Sequence, residues 1–279
     1  TSELERLSAA DIERVELITN PGAEYDATVK AVVRIYTLKK EDGVSTALRA
    51  GIIQGRRTTH YEQLNMNCSM GGFLLSGMLY YNHNAYRRSQ VVQYEIPSPS
   101  GMWLIKSPSS FTGNGQLLGG SASAVYDFSP KHSAGFSYEY FRTPGFHYDG
   151  VSFYTVKSDN VLTDQTDYLS NIFQQSTDHR FNLYYQGRIG KLHLDFSGDV
   201  VRSYNHDRQD AEEKSRTEGG REINSLTRAD NNLYAAKLIA THPLGRGNMK
   251  AGADYTLIRR KDKFANPQEL LPTTDSRIH

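Results

Sequence analysis

The sequence is dominated by apolar and polar side chains that alternate one by one. The clearest segment runs from Phe181 to Val201 and is interrupted by Gly190-Lys191. Successive side chains of a β-strand point to opposite faces, so the alternation predicts strands with one apolar face. A two-residue Gly-X connection is typical of a type II′ hairpin and predicts Ile189 opposite Leu192. The same register predicts two further pairs on that face: Tyr185 with Phe196, and Phe181 with Val200.

Segments of this kind recur along most of the chain and are joined by connections of two lengths. They predict nine strands, near 44–54, 59–68, 73–86, 116–128, 133–143, 178–189, 191–206, 224–241 and 248–262. Short turns are predicted near 69–72, 129–132, 190–191 and 242–247. Long polar loops are predicted near 87–115, 144–177 and 207–223. Alternating short and long connections are typical of outer-membrane barrels, and a soluble β-sandwich lacks this strict order.

Composition narrows the function classes. Lys and Arg number 32 and Asp and Glu 31, so the chain lacks the basic excess expected of a nucleic-acid binder. There is no apolar run long enough for a transmembrane helix, but a barrel strand needs only about 9–11 residues. The 18 Tyr against 1 Trp and the 23 Gly are compatible with a barrel and with a soluble β-sandwich. Tyr suits bilayer interfaces, where its ring is buried and its hydroxyl stays hydrated.

No pattern of catalytic, cofactor-binding or metal-binding residues is present. The sequence contains no phosphate-binding glycine loop, no nucleophile elbow and no zinc-protease motif. One cysteine, Cys68, excludes an internal disulfide and a four-cysteine zinc site. We therefore expect no enzyme, no cofactor and no metal centre.

The number of predicted strands has a structural consequence. Nine is odd, whereas bacterial single-chain barrels have even numbers of strands. We therefore expect these residues to form an incomplete barrel, in which the first strand and the ninth are not paired with each other.

The first forty residues carry an ordered set of motifs. Ile12-Glu13-Arg14-Val15-Glu16-Leu17 is followed by a turn at Asn20-Pro21, by Tyr25, and by a strand from Ala31 to Lys40 that contains Val33, Ile35 and Thr37. This set resembles the C-terminal end of the plug of a TonB-dependent outer-membrane receptor. The stretch 20–27 is most similar to the branch that imports glycans, peptides and other bulky solutes. The resemblance implies a plug remnant over 1–40 and the N-terminal part of a β-barrel over 41–279.

The resemblance also implies a function. It is uptake of a scarce or bulky solute across the outer membrane of a Gram-negative bacterium, energised by the proton-motive force through TonB. Partners would be TonB, contacted through a segment N-terminal to this chain, outer-membrane lipid, and in some members a surface lipoprotein. The solute stays open among siderophore, cobalamin, oligosaccharide and peptide. Alternatives are a non-transporting barrel used for adhesion or binding, an open diffusion porin, and a soluble β-sandwich binding module.

Three charged residues of the first strand are candidate plug–barrel contacts. In the resembled family, charges of this strand pair with the barrel wall, which implies that role for Glu13, Arg14 and Glu16. Charges shielded from bulk water must be matched, or they cost several kcal/mol. An ordinary surface charge pair is the alternative.

Four further residues are candidate ligand contacts in loops. His83 and Tyr86 belong to an aromatic and amide cluster of the kind that stacks on sugar rings. A girdle at the membrane interface is the alternative for this cluster. His206 and Asp207 open a long polar stretch, for which a solvated charged loop is the alternative.

Overall fold

The structure is a computed structural model that describes residues 12–19, 31–37, 42–99, 101–245, 247–269 and 272–278. Within these ranges the chain is all β and contains twelve strands. They are β1 (Ile12–Ile18), β2 (Val32–Thr37), β3 (Gly43–Gln54), β4 (Thr58–Met70), β5 (Phe73–Ser98), β6 (Gly101–Ser129), β7 (His132–Ser158), β8 (Val161–Ile189), β9 (Leu192–Ser215), β10 (Gly219–Leu244), β11 (Gly247–Ala265) and β12 (Thr274–Ile278).

Strands β3 to β12 form one antiparallel sheet in which each strand pairs with its sequence neighbours. The order is β12-β11-β10-β9-β8-β7-β6-β5-β4-β3, the up-and-down arrangement that the sequence predicts. Strands β3 and β11 are not paired, as predicted, and within the described ranges the sheet has free edges at β3 and β12. About nine strands were predicted for this sheet, and the described residues form ten, because the five-residue β12 follows the last predicted segment.

The predicted register of the central hairpin is confirmed. Ile189 pairs with Leu192, Tyr185 with Phe196, and Phe181 with Val200. Gly190 has a φ of 61°, which a glycine adopts without steric cost at the first position of this turn.

The three long loops predicted at 87–115, 144–177 and 207–223 are wrong. These residues continue the strands, so that β5 to β10 reach 24 to 29 residues. Both faces of the sheet are rich in polar residues there, so the alternation of apolar and polar residues by which a strand is recognised is missing. One outer turn does carry a signal: Asp159 and Asn160 both have positive φ, as a two-residue type I′ turn requires.

Near the short turns, the two faces of the sheet differ in chemistry. Directly paired residues lie on the same face, so a row can be followed from β3 to β11. One such row is entirely apolar or small: Val44, Cys68, Leu75, Ala124, Phe136, Leu183, Gly198, Ala236 and Tyr255. The adjacent row on the other face is almost entirely polar: Ser45, Asn67, Ser76, Ser123, Ser137, Asn182, Asp199, Ala235 and Thr256.

The apolar face is uncovered. On β3 the exposed fractions of Val44, Leu48 and Ile52 are 72%, 73% and 75%, and Leu79 on β5 is 64% exposed. The buried hydrophobic residues of the described chain are Met78, Ala85 and Ala211, and no large side chain there is fully buried. The described strands outside the ten-stranded sheet are β1 and β2, which pair with each other. The described chain is therefore a single layer without a second large sheet, and the β-sandwich alternative is wrong.

The polar face is more crowded than the apolar one. On β8, Leu183 is 52% exposed, whereas its polar-face neighbours Asn182 and Tyr184 are half-buried. Farther along the strand, Leu169 is 44% exposed and Tyr168 is half-buried. On β8 the polar face is therefore more shielded from water than the apolar face.

Candidate functional site

Three aromatic rings meet on the polar face, in the part of the sheet that was expected to be loop. Tyr86 lies on β5, and Phe146 and Tyr148 lie on β7. The rings of Phe146 and Tyr148 are stacked with centroids 4.5 Å apart, and Tyr86 is 6.3 Å from Phe146. We call these three residues the ring platform.

Two glycines of β6 explain how the rings are held. A Cβ added to Gly113 would stand 2.7 Å from the Tyr86 ring, and one added to Gly115 would stand 2.4 Å from the Phe146 ring. The rings therefore occupy the space in which a side chain of β6 would otherwise stand. Aromatic side chains that cover strand glycines in this way also fix the register of a sheet. Phe146 therefore lies against β6 and against the stacked ring of Tyr148.

Polar groups continue the site across β8 and β9. Phe146 pairs with Gln174, which pairs with Asp207. In the next row of the same face, Tyr148 pairs with Ile172, which pairs with Gln209. The ring platform is thus followed by two amides and a carboxylate at neighbouring positions of one face.

The ionisable groups of this region are partly shielded from water. Burial raises the pKa of Tyr148, and the neighbouring Tyr86 and Asp207 raise it further. Burial also raises the pKa of Asp207, against the opposing effect of His206. Higher on the face, the Gln209 amide donates a hydrogen bond of 2.7 Å to the Tyr168 hydroxyl, whose pKa is raised mainly by burial.

The four predicted ligand contacts separate into two groups. Tyr86 and Asp207 lie on the same polar face, on either side of Phe146 and Tyr148. His83 lies on the opposite face, where its ring stacks on His60 with centroids 5.2 Å apart. Since both histidines align with Ile52 of the apolar face, His83 does not belong to the ring platform.

His206 is also separated from the ring platform. It neighbours Asp207 in β9, so the two side chains point to opposite faces. The prediction that these residues lie in a loop was wrong. The Nε2 atom of His206 is buried and has no hydrogen-bond partner within the described part of the chain.

Glu13, Arg14 and Glu16 lie on β1, which confirms the predicted strand Ile12–Ile18. Strand β2 confirms the core of the second predicted strand, whereas the turn at 20–22 and residues 38–40 lie outside the described residues. The guanidinium of Arg14 lies 3.9 Å from the ring centroid of Tyr36, whose hydroxyl donates a 2.9 Å hydrogen bond to Glu16. These contacts are internal to the two-stranded sheet. Contacts of the three charges with the large sheet stay a prediction.

A polar cluster closes the outer end of β8 and the turn between β9 and β10. The carboxylate of Asp164 accepts hydrogen bonds from the Thr166 hydroxyl at 2.7 Å, from Ser215 Oγ at 3.0 Å, and from the Thr217 hydroxyl and N–H at 2.9 and 3.2 Å. The bonds from Thr166, Thr217 and Ser215 hold the pKa of Asp164 well below its usual range. These hydrogen bonds hold the outer end of β8 to the end of β9, the strand on which Asp207 and Gln209 lie.

The sequence reasoning missed Phe146, Tyr148, Gln174 and Gln209. All four fall in segments that were assigned to loops. A weak signal was present, because Phe146 and Tyr148 alternate with His147 between Gly145 and Gly150.

The described residues lack two kinds of feature. They contain no helix that is both long and apolar enough to cross a membrane. Nor do their His, Cys, Asp and Glu side chains form a group of three or more that would hold a metal ion.

Comparisons with known proteins give a limited result. No family model matches the sequence, and no curated protein matches it either. Among solved structures, the chain is similar to BauA, the ferric preacinetobactin receptor of Acinetobacter baumannii, with 12% identity and a TM-score of 0.36 over 97% of this chain and 50% of that chain. It is also similar to the siderophore receptor PiuA of the same organism, with 10% identity and a TM-score of 0.26 over 91% of this chain and 52% of that chain. The chain spans about half the length of these two receptors.

Proposed function

We propose that this chain forms part of the wall of an outer-membrane receptor that takes up a solute. The observation that carries the proposal is the uncovered apolar face. On β8 it runs from Phe181 to Ile189, nine residues, which is close to the 9–11 that a tilted strand needs to cross a bilayer. Lipid is the environment in which an exposed apolar face of this extent is stable.

The limits of the apolar band support the same assignment. Beyond it, the same face becomes polar across four neighbouring strands, in a row formed by His179, Arg202, Asn232 and Arg259. Aromatic residues lie near both limits, with Tyr140 next to His179 and with Phe128 close to the short turn after β6. Aromatic girdles at both interfaces are typical of transmembrane barrels. The strand extensions then project beyond the membrane by about 40 Å, given 3.3 Å per residue and a tilt of about 40°.

Energy coupling through TonB is the second part of the proposal. It rests on the resemblance of residues 12–40 to the end of a plug, so that 1–40 would be plug and 41–279 barrel. The solute would enter from the outer end of the strands, where the ring platform lies on the polar face.

Growth genetics tests the function. Strains that lack this protein, TonB, or both are grown with one limiting solute at a time: ferric siderophores, cobalamin, oligosaccharides or peptides. Uptake through TonB predicts that the same solute limits growth in both single deletions and that the double deletion is no worse. An adhesin or binding protein would instead lose attachment in the first deletion alone, with growth unchanged on every solute.

A further inference from the structure

We propose that four cations just beyond the apolar band bind the phosphate group of a membrane lipid. We call them the cation cluster: Arg202 on β9, Arg228 on β10, and Arg259 and Lys261 on β11. This inference rests on the proposed function, which places the apolar face in lipid. It adds a binding surface that is separate from the ring platform and lies on the other face of the sheet.

The cation cluster begins where the apolar band ends. On the apolar face, Arg202 is the next residue of β9 after Val200, and Arg259 is the next residue of β11 after Leu257. Arg202 and Arg259 lie in one row, on either side of Asn232. Under the proposed function, this row would stand at the level of the lipid headgroups.

The charges of this region are mostly of one sign. Three successive rows of the face place nine side chains on β9, β10 and β11, and five of them are Lys or Arg, whereas Asp230 is the single carboxylate of this described block. The nine are Arg202, Tyr204, His206, Arg228, Asp230, Asn232, Arg259, Lys261 and Lys263. An anion that approached these rows would therefore meet a net positive surface.

The cations of the cluster have no ion-pair partner among the described residues. Lys263, in the next row, does have one, since its Nζ lies 3.7 Å from a carboxylate oxygen of Asp275. Asp230 lies opposite Lys261 in the strand register, but the two side chains form no ion pair. The cluster thus carries charge that the described protein leaves unmatched and that an external anion would neutralise.

The residue types suit a phosphate. Arg202, Arg228 and Arg259 are exposed, and a guanidinium donates two parallel hydrogen bonds to phosphate oxygens. Strand spacing places the Cα atoms of Arg202 and Arg259 about 10 Å apart, so a phosphate above Asn232 would lie midway between them. The side-chain amide of Asn232 would add a donor from below.

The opposite limit of the apolar band lacks such charges. On the described strands β3 to β11, this face carries no Lys, Arg, Asp or Glu between the row of Arg202 and the short turns. A general attraction to anionic headgroups would favour cations at both limits. The one-sided placement therefore indicates an anionic lipid of one leaflet, the leaflet on the side of the strand extensions.

The neighbouring apolar band favours a lipid over a free anion. Acyl chains in contact with the band would hold the phosphate of a lipid at the level of Arg202 and Arg259. A free phosphate gains nothing from the band and would have to remain bound through exposed charges alone, which water and salt screen.

Native mass spectrometry of the purified native protein in detergent, titrated with phosphatidic acid, tests the proposal. Diacylglycerol with the same acyl chains is the uncharged probe and should bind weakly. The double variant Arg202→Gln/Arg259→Gln should weaken binding of phosphatidic acid about tenfold or more, since two interfacial cations are lost. The double variant Arg180→Gln/Arg188→Gln removes the same charge from the polar face of β8 and should leave binding unchanged. A shift in gel mobility on heating confirms that each variant is folded.

Four outcomes would overturn the lipid assignment. Two of them are equal binding of phosphatidic acid and diacylglycerol, and equal losses in the two double variants. The others are displacement of phosphatidic acid by inorganic phosphate at the same concentration, which indicates a free-anion site, and stronger binding of poly-aspartate, which indicates a protein-docking surface.

The uptake function is tested separately by the growth experiment, and each of these four outcomes would leave it intact. Binding of phosphatidic acid that depends on Arg202 and Arg259, combined with growth that does not depend on TonB, would support the cation cluster and overturn the uptake function.

Discussion

The sheet consists of two regions that share strands but differ in what stabilises them. Near the short turns, one face is apolar in continuous rows and the other is polar. In the outer halves of β5 to β10, both faces carry polar groups, and order depends on hydrogen bonds, ring–glycine contacts and tight turns. Under the proposed function, the first region would contact lipid and the second would stand in water. We therefore expect different kinds of substitution to be damaging on the two sides of the boundary between these regions.

The largest effect is expected from a charge on the apolar face. Leu183 lies about midway along the apolar band and is 52% exposed. Leu183→Arg should reduce the free energy of unfolding from lipid vesicles by about 2–4 kcal/mol. Leu194 pairs with Gly187 and so lies as far from the middle of the band, at Tyr185, as Leu183 does, and Leu194→Arg should cost a similar amount.

The matched control for Leu183→Arg lies one residue away, on the polar face. Asn182 donates a 2.8 Å hydrogen bond to Asp199, so Asn182→Arg places a cation beside a carboxylate. Its effect should be below about 1 kcal/mol. Asp195→Asn on β9 should likewise be mild. Similar losses for Leu183→Arg and Asn182→Arg would remove the distinction between the two faces.

A medium effect is expected from filling the space under a ring in the outer region. Gly115→Ala would place a Cβ 2.4 Å from the Phe146 ring and 2.8 Å from its Cα, so backbone as well as ring must move. Overpacking of this kind costs about 1–3 kcal/mol. Gly220→Ala, whose Cβ would have ordinary contacts of 3.7 Å or more, is the control and should be close to neutral. Limited proteolysis of the outer strands would measure the difference, and equal cleavage of both variants would contradict the packing.

The smallest effect is expected at the rim and depends on pH. The pKa of Asp164 is lowered in the folded state, mainly by the Thr166 hydroxyl and also by Thr217 and Ser215. The stabilisation is therefore complete above the unfolded value of about 3.9 and is lost as pH falls below it. Amide exchange at 215–218 should accelerate in the wild type below about pH 4, and Asp164→Asn should exchange fast at all pH values. A wild-type exchange rate with no such acid dependence would contradict this role for Asp164.

The two regions also explain how far the sequence could be interpreted. Ile189, Leu192, Tyr185 and Phe196 fixed a register that the structure confirms, because a slip of one residue would move all of them to the polar face. No such penalty exists around Asn171 or Asp210, where both faces are polar. The outer strands were therefore assigned to loops.

The same reason limited prediction of the candidate site. Tyr86 and Asp207 were recognised as unusual residues, but their common face depends on strand pairing across β6, β7 and β8. Phe146 and Tyr148 join them only because the outer strands stay in register. His83 and His206 were grouped with them by residue type. Because successive residues of a strand point to opposite faces, both histidines lie on the other face.

The central claim is that the apolar face contacts lipid, and Cys68 allows it to be measured directly. It is the one cysteine of the sequence and lies in the apolar row between Val44 and Leu75. A nitroxide on Cys68 of the reconstituted protein should collide readily with oxygen and rarely with a water-soluble nickel chelate. The same label on Asn67→Cys in a Cys68→Ser background should show the reverse. Free access of the nickel chelate to Cys68 would contradict the account.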